Sequence, residues 1–258
     1  MAKEQLSLPA RHDIERRFHD NKAAAGHSDE NRDFYIAGGL DLVWESYLAA
    51  IGDLRGKNIL DFGCGEGWAT IQYAKHGANV YSFDISPESV RNLTQEAERR
   101  GIVGRIQTAV MAAECLGYPS NSFDLVLGVA ILHHTDPFAA GAEISRVLKP
   151  GGRALFIEPL AHNWFLKVFR RLTPQRRTPT EQPMTVEQIA DFGKYFRTTE
   201  YRGYHLISIF PQGLLWATGS QRLFRWSLCI TQIIDKWLLW AVRPLKRYCW
   251  STIIEVAK

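Results

Sequence analysis

Cysteine is scarce in this chain of 258 residues: there are four, at positions 64, 115, 229 and 249. No two form a CxxC pair, and none joins histidines at zinc-ligand spacing, so the sequence gives neither a disulfide framework nor a structural metal site. The N-terminal stretch "MAKEQLSLPARHDIERRFHDNK" lacks the apolar core of a secretion signal, and its acidic residues do not suit a mitochondrial presequence. A reducing, cytoplasmic setting is therefore expected. Long Pro/Ser-rich linkers and internal repeats are also missing. With 46% hydrophobic and 22% charged residues, the chain reads as one domain with additions. The formal net charge of +4 is too small to announce a nucleic-acid binder, and no nucleic-acid partner is expected.

Short apolar runs alternate with helical patterns from residue 58 onward, which is the signature of an α/β fold with a parallel sheet covered on both faces. Strand one is read at Asn58 to Phe62, followed by a glycine loop and a helix to about His76. "NVYSFD" is strand two, ending at Asp84, and Ser86 and Pro87 open a helix reaching Arg100. "RIQTAV" and "FDLVLGV" are strands three and four. Asp136 and Pro137 start a helix whose Ala140, Ile144, Val147 and Leu148 share one face. "KPGG" ends that helix, and "RALFIEP" is strand five. Thr185 and Gln188 stand at capping-box spacing, "TTEYRGYHLISIF" reads as strand six, and "STIIEVAK" as strand seven. Between the last two lies an insertion, residues 211–250, holding five of the eight tryptophans.

The loop "GCGEG" has glycines at 63, 65 and 67, in Gly-x-Gly-x-Gly spacing instead of the Gly-x-Gly-x-x-Gly of dinucleotide enzymes. Just past strand one, it lies where open parallel sheets bind their ligands, and its backbone can approach a ligand without side-chain obstruction. Asp84, ending strand two, is placed to accept from both hydroxyls of a ribose. Dinucleotide folds set pyrophosphate on the helix N-terminus. Here Asp61 precedes the loop and Glu66 lies inside it, which repels phosphate and attracts a cation. S-Adenosylmethionine, with an ammonium, a sulfonium and no phosphate, fits that charge.

"ILDFGCGEG", "VYSFDIS", "AAECLGYPSNSFDLVLGVAILHHTDP" and "EISRVLKPGGRALFIEP", in that order, resemble the successive motifs of the class I S-adenosylmethionine-dependent methyltransferases. The likeness is strongest to the branch called methyltransferase type 11, which acts mainly on small molecules and lipids, and it spans about residues 56–160. It implies a Rossmann-like seven-stranded sheet with helices on both faces, the last strand antiparallel. On this reading 1–55 is an N-terminal helical lid, 56–160 the cofactor-binding core, and 161–258 a substrate-side segment with its helical insertion at 211–250. Carried onto matching positions, the resemblance implies that Gly63, Cys64, Gly65 and Gly67 line the methionine and ribose portions, and that Asp61 holds the ammonium. Asp84 takes the ribose hydroxyls, Ile85 packs on adenine, and Val129 offers a backbone carbonyl to the methionine moiety. Ala112, Ala113 and Glu114 fall at the adenine end. The family often has an aspartate at the position of Ala112, and alanine either leaves adenine selectivity to backbone groups or weakens cofactor affinity. The product would be S-adenosylhomocysteine. The other two readings are a non-catalytic protein that keeps this fold and a nucleotide-dependent oxidoreductase, which the acidic loop opposes.

Methyl transfer is an in-line displacement that alignment of the reactants alone accelerates strongly, and oxygen or carbon acceptors benefit from a general base. Candidates at the sheet's carboxyl edge are His133, His134, Glu158 and His162, with Tyr35 on the lid; each can instead serve only to hold a loop. The segment "GVAIL" lacks the Asn/Asp-Pro-Pro-aromatic signature of enzymes that methylate planar nitrogens, which favours oxygen or carbon of a small, hydrophobic or lipid-like acceptor.

In 221–242, Trp226, Ile230, Ile233, Trp237 and Trp240 recur at three- and four-residue steps, while Arg222, Arg225, Gln232, Lys236 and Arg243 fall on a different face. The first reading of this stripe is a helix packed on its own domain. The second is an interfacial helix on a membrane surface. A transmembrane span is not expected, because Asp235 and Lys236 interrupt the apolar run. A second basic stretch, Lys167, Arg170, Arg171, Arg176 and Arg177, is opposed nearby only by Glu181. Its first explanation is a solvated surface, and with the stripe it fits an apolar acceptor, drawn from a membrane or bearing an acidic group.

Overall fold

A computed structural model describes residues 7–25 and 41–258. The sheet contains β1 (Asn58–Phe62), β2 (Asn79–Asp84), β3 (Ile106–Val110), β4 (Phe123–Val129), β5 (Leu148–Pro159), β6 (Thr198–Tyr204) and β7 (Ser251–Ala257). Their order is β3-β2-β1-β4-β5-β7-β6. The first five are mutually parallel, and β7 runs antiparallel between β5 and β6. The order reverses between β1 and β4, and the crevice beyond their carboxyl ends is where such sheets take ligands.

The helices are α1 (Leu8–Ala24), α2 (Asp41–Ile51), α3 (Trp68–Lys75), α4 (Pro87–Arg99), α5 (Pro137–Val147), α6 (Trp164–Leu172), α7 (Val186–Gly193), α8 (Pro211–Thr218) and α9 (Gln221–Ala241). Their starts follow from sequence. The Ser86 side chain accepts from Ser89 N at the head of α4, and Asp136 accepts from Phe138 N and Ala139 N at the head of α5. Thr185 and Gln188 form a complete capping box at the head of α7.

Alternation along the strands divides the core between two faces. Leu60, Phe62, Val126 and Phe156 meet Ala140, Ile144 and Val147 of α5 and Phe192 of α7. Ile59, Leu125, Leu127 and Leu155 meet Val43, Tyr47 and Ile51 of α2 and Tyr73 of α3. The four residues expected to share the inner face of α5 and its end are all fully buried.

Three segments depart from the sequence reading. Strand five begins at Leu148, not Arg153: "KPGG" lies inside it, with Gly151 at φ +76° and a register shift against β4. Strand six stops at Tyr204. His205 takes a left-handed φ of +61°, and the turn 206–208 closes on Asp235, whose carboxylate accepts from Leu206 N, Ile207 N, Ser208 N and Ser208 Oγ. An alternating pattern cannot reveal that a carboxylate twenty-seven residues later competes for those amides.

The insertion is the third departure. The stripe on α9 does not pack on its own domain: Trp226 is 69% exposed, Trp237 64% and Trp240 74%. The inward face is set instead by Phe224 and Asp235, both buried, with Leu239 against the main core. Asp235 is thus an anchor that fixes the rotation of α9 and turns its tryptophans outward. Among the described residues, no helix is long and apolar enough to cross a membrane.

Candidate functional site

Five residues make the turn from β1 to α3. Gly63, Gly65 and Gly67 have φ of +70°, +51° and +84°, a region that L side chains rarely adopt. Two of them are also enclosed: a Cβ on Gly63 would lie 2.3 Å from Ile131 Cγ1, and one on Gly67 would lie 2.2 Å from Leu93 Cδ1. Gly65 differs, because a Cβ there would meet nothing within 4 Å. The outer glycines let the loop pack on its neighbours, and the middle one presents bare backbone to open space. Cys64 N donates to Phe83 O at 2.8 Å, which ties the loop to the end of β2.

Asp84 stands across that loop, 6% exposed. Its Oδ2 accepts from Gly65 N at 2.8 Å and its Oδ1 from Ser86 N at 2.9 Å. Each oxygen retains a further lone pair for a ligand donor. Asp61, 2% exposed, accepts from the Thr70 hydroxyl. Burial, reinforced by the charge of Asp84, pushes the Asp61 carboxyl up to about 7. The same burial, with both carboxylates nearby, raises the Cys64 thiol well above its usual range, so it carries no thiolate chemistry at neutral pH. Two buried carboxylates beside open glycine backbone favour a cation with hydroxyl donors. That donor set fits an aminoacyl sulfonium nucleoside, with Gly65 and Asp84 at the ribose and Asp61 toward the ammonium.

Helix α1 straddles the switch point. Asp20 Oδ1 accepts from Ser86 Oγ at 2.6 Å on the β2 side, and Asn92 Nδ2 donates to Ala23 O at 3.3 Å. On the β4 side, Arg11 Nη2 donates to Thr135 O at 2.7 Å. Glu15 accepts from the hydroxyls of Thr178 and Thr180 and pairs with His134 Nδ1 at 3.0 Å. Burial alone would raise the Glu15 carboxyl, but the His134 contact and the two hydroxyls outweigh it and hold it at about 2. His134 Nε2 lies 3.5 Å from Glu181 Oε2, and His19 Nε2 lies 3.7 Å from Glu15 Oε2.

These contacts redistribute the residues singled out from sequence. Glu158, fully buried, accepts from Ile131 N, Leu132 N and His133 Nδ1 at 2.9, 2.7 and 2.7 Å. It braces the turn after β4, where Ala130 takes φ +56°, and holds His133 there through Nδ1. His134 has a carboxylate near each ring nitrogen, Glu15 at 3.0 Å and Glu181 at 3.5 Å. His162 is not brought to this cluster: it faces Glu187 Oε2 at 4.0 Å and the ring of Tyr248. Tyr35 lies outside the described residues.

Glu114 is engaged by Asp136 N at 2.9 Å and His12 Nε2 at 3.0 Å, so it braces α1 and α5. Ala112 bridges to Cys115, Ala113 is buried, Ile85 is half-buried, and Val129 ends β4 at the crevice. The sequence reading missed Glu15, His19 and Asp20. Its available signal was the spacing of His12, Glu15 and His19 at i, i+3 and i+7, which puts three polar side chains on one helical face.

The sheet order, the glycine turn and the paired carboxylates define a class I methyltransferase fold with its cofactor crevice. Residues 60–156 match the family model described as a methyltransferase domain. The chain is 37% identical over 111 residues to aklanonic acid methyltransferase DauC of Streptomyces sp. (strain C5), covering 42% of this chain and 50% of that one. It is 32% identical over 141 residues to the ubiquinone/menaquinone biosynthesis C-methyltransferase UbiE of Hydrogenovibrio crunogenus, covering 53% and 55%. The matches thus span about half the length of these curated relatives. Among solved structures, geranyl diphosphate C-methyltransferase from Streptomyces coelicolor A3(2) superposes with a TM-score of 0.58 at 13% identity, over 83% of this chain and 74% of that one. A methyltransferase solved with the Haloferax volcanii Trm112 activator reaches 0.63 at 18%, over 94% and 97%. These two show the fold alone.

Proposed function

We propose that the protein binds S-adenosylmethionine between the glycine turn and Asp84 and methylates oxygen or carbon of a small, apolar acceptor. The observation that carries this reading is the pair of buried carboxylates beside the open face of Gly65. A phosphate-bearing dinucleotide would meet the buried carboxylate of Asp84 and a second carboxyl that anions keep protonated, whereas a sulfonium amino acid favours the ionised state of Asp61. The relatives' names support the acceptor class, since one is an aklanonic acid methyltransferase and the other a C-methyltransferase of ubiquinone/menaquinone biosynthesis.

Bound S-adenosylmethionine supplies an electrophilic methyl group. The chain's own residues orient it and shape the space beyond it. Asp84 fixes the ribose, Asp61 the ammonium, and the turn after β4, held by Glu158 and His133, forms the wall toward the acceptor. Helix α1 closes the crevice from above and excludes water. His19, on that helix, lies edge-to-face with His134. Burial lowers its pKa and keeps the ring neutral, which makes it the group available to take a proton from a hydroxyl or enol acceptor.

The test is incubation with methyl-labelled S-adenosylmethionine and a panel of quinols, phenols, polyketide acids and isoprenyl diphosphates, with wild type beside His19→Gln. Label on acceptor oxygen or carbon, with kcat reduced in the variant and cofactor affinity kept, is expected. Adenosyl binding with no transfer across the panel would favour a non-catalytic protein of the same fold.

A further inference from the structure

Helix α9 presents three different faces at 3.6 residues per turn. One, with Phe224 and Asp235, is buried against the domain. The second carries Trp226, Ile230, Ile233, Trp237 and Trp240, all exposed. The third, beside it, carries Arg225 and Lys236, also exposed, and exposed Arg222 stands on the border of the two, in line with Trp240. In a water-soluble setting a stripe with three tryptophans is costly to leave uncovered, and contiguous apolar faces of this kind mark interaction sites.

Charge distinguishes the occupants. Between residues 203 and 254 the chain has six lysines and arginines and a single acidic residue, Asp235, which is 5% exposed and hydrogen-bonded inward to the turn 206–208. The outer surface of the insertion is therefore exclusively basic around an apolar centre. A second element repeats the pattern. On α6, Trp164, Lys167 and Arg171 fall at i, i+3 and i+7 on its exposed side. That helix joins the two ends of the insertion, through Phe165 against Phe210 and Asn163 Nδ2 to Tyr248 O at 2.9 Å. A second copy of this chain would set the same basic rims against each other, whereas an anionic bilayer neutralises them and takes the tryptophans at headgroup depth.

We infer that α9, with α6 beside it, docks the protein on the surface of a bilayer containing anionic phospholipid, its tryptophan face inserted and its arginines on the headgroups. The helix lies in the interface and does not cross. For the acceptor chemistry proposed above, this surface would bring the crevice to substrates dissolved in lipid. Docking itself does not depend on that reading, because lipid binding and adenosyl binding are measured separately.

The test is co-sedimentation of the full chain with vesicles of phosphatidylcholine alone or with about a third phosphatidylglycerol. Wild type should bind the anionic vesicles roughly a hundredfold more tightly, the effect of about three basic residues at the surface, and its tryptophan emission should shift to the blue. The exposed-site variants Trp226→Ser/Trp237→Ser/Trp240→Ser should keep the fold and lose binding. Arg222→Gln/Arg225→Gln/Lys236→Gln should abolish the preference for anionic lipid. Equal failure of wild type and tryptophan variant to pellet would overturn the inference. So would a lipid-free dimer in sedimentation velocity that the tryptophan variant abolishes, since the second copy would then be the occupant.

Discussion

Substituting alanine at each glycine of the β1–α3 turn separates ligand contact from packing. All three positions have positive φ, so each alanine carries a left-handed penalty of about 1–2 kcal/mol. At Gly63 and Gly67 the new methyl also falls 2.3 and 2.2 Å from side-chain carbons of Ile131 and Leu93, and overpacking adds about 1–3 kcal/mol. At Gly65 it meets nothing within 4 Å. Thermal denaturation should therefore show Gly65→Ala as the mildest, with Tm lower by about 2–8 °C and the other two lower by more. Calorimetric affinity for S-adenosylhomocysteine should give a different picture for the middle glycine. Gly65→Ala puts a methyl in the space assigned to the ligand and should weaken binding roughly tenfold or more although it is the mildest of the three in stability. A well-folded Gly65→Ala protein with wild-type affinity would refute the placement of the ligand against this loop.

Two further predictions concern the buried carboxyls. Asp61, pushed up to about 7 in the folded protein from 3.8, is protonated below neutrality. A cationic ligand must displace that proton, so affinity for S-adenosylmethionine should fall as pH drops from about 7 toward 5, by up to about tenfold per unit, and Asp61→Asn should remove this dependence. The sign for the ligand-free protein is opposite: a raised carboxyl contributes stability below its unfolded pKa that is lost as pH rises through 7. Glu15 is the reverse case, held at about 2 against 4.5, so its contribution is present above pH 4.5 and lost as pH falls toward 2. The shift corresponds to about 3 kcal/mol. Glu15→Gln should lower Tm at pH 7 by roughly 6–12 °C, speed hydrogen exchange in α1, and leave a shallower loss of stability in acid; unchanged exchange in α1 would show that Glu15 does not hold the helix.

The sheet was legible because strands buried on both faces leave continuous apolar runs, and because Ser86, Asp136 and Thr185 cap helices by local rules. The glycine turn was legible for a related reason: Gly63, Gly65, Gly67 and Asp84 sit at the ends of those strands, and their spacing is itself the geometry. The roles of Glu158 and His133 were not, since a histidine and a glutamate twenty-five residues apart look alike whether they brace a turn or face a substrate. Nor was the clamp of Glu15 on Thr178 and Thr180, formed across more than 160 residues. The stripe on α9 was visible as a stripe, but its direction depended on Asp235, which periodicity showed only as an interruption.

The central claim is that a cationic adenosyl ligand sits between the glycine turn and Asp84. Its most direct test is calorimetric titration of wild type and Asp84→Ala, each verified as folded by circular dichroism, with S-adenosylmethionine, S-adenosylhomocysteine and NAD. Saturable one-to-one binding of both adenosyl ligands by wild type, no binding of NAD, and a loss of roughly tenfold to hundredfold in the variant are predicted. Tight NAD binding, or adenosyl binding that Asp84→Ala leaves intact, would contradict it.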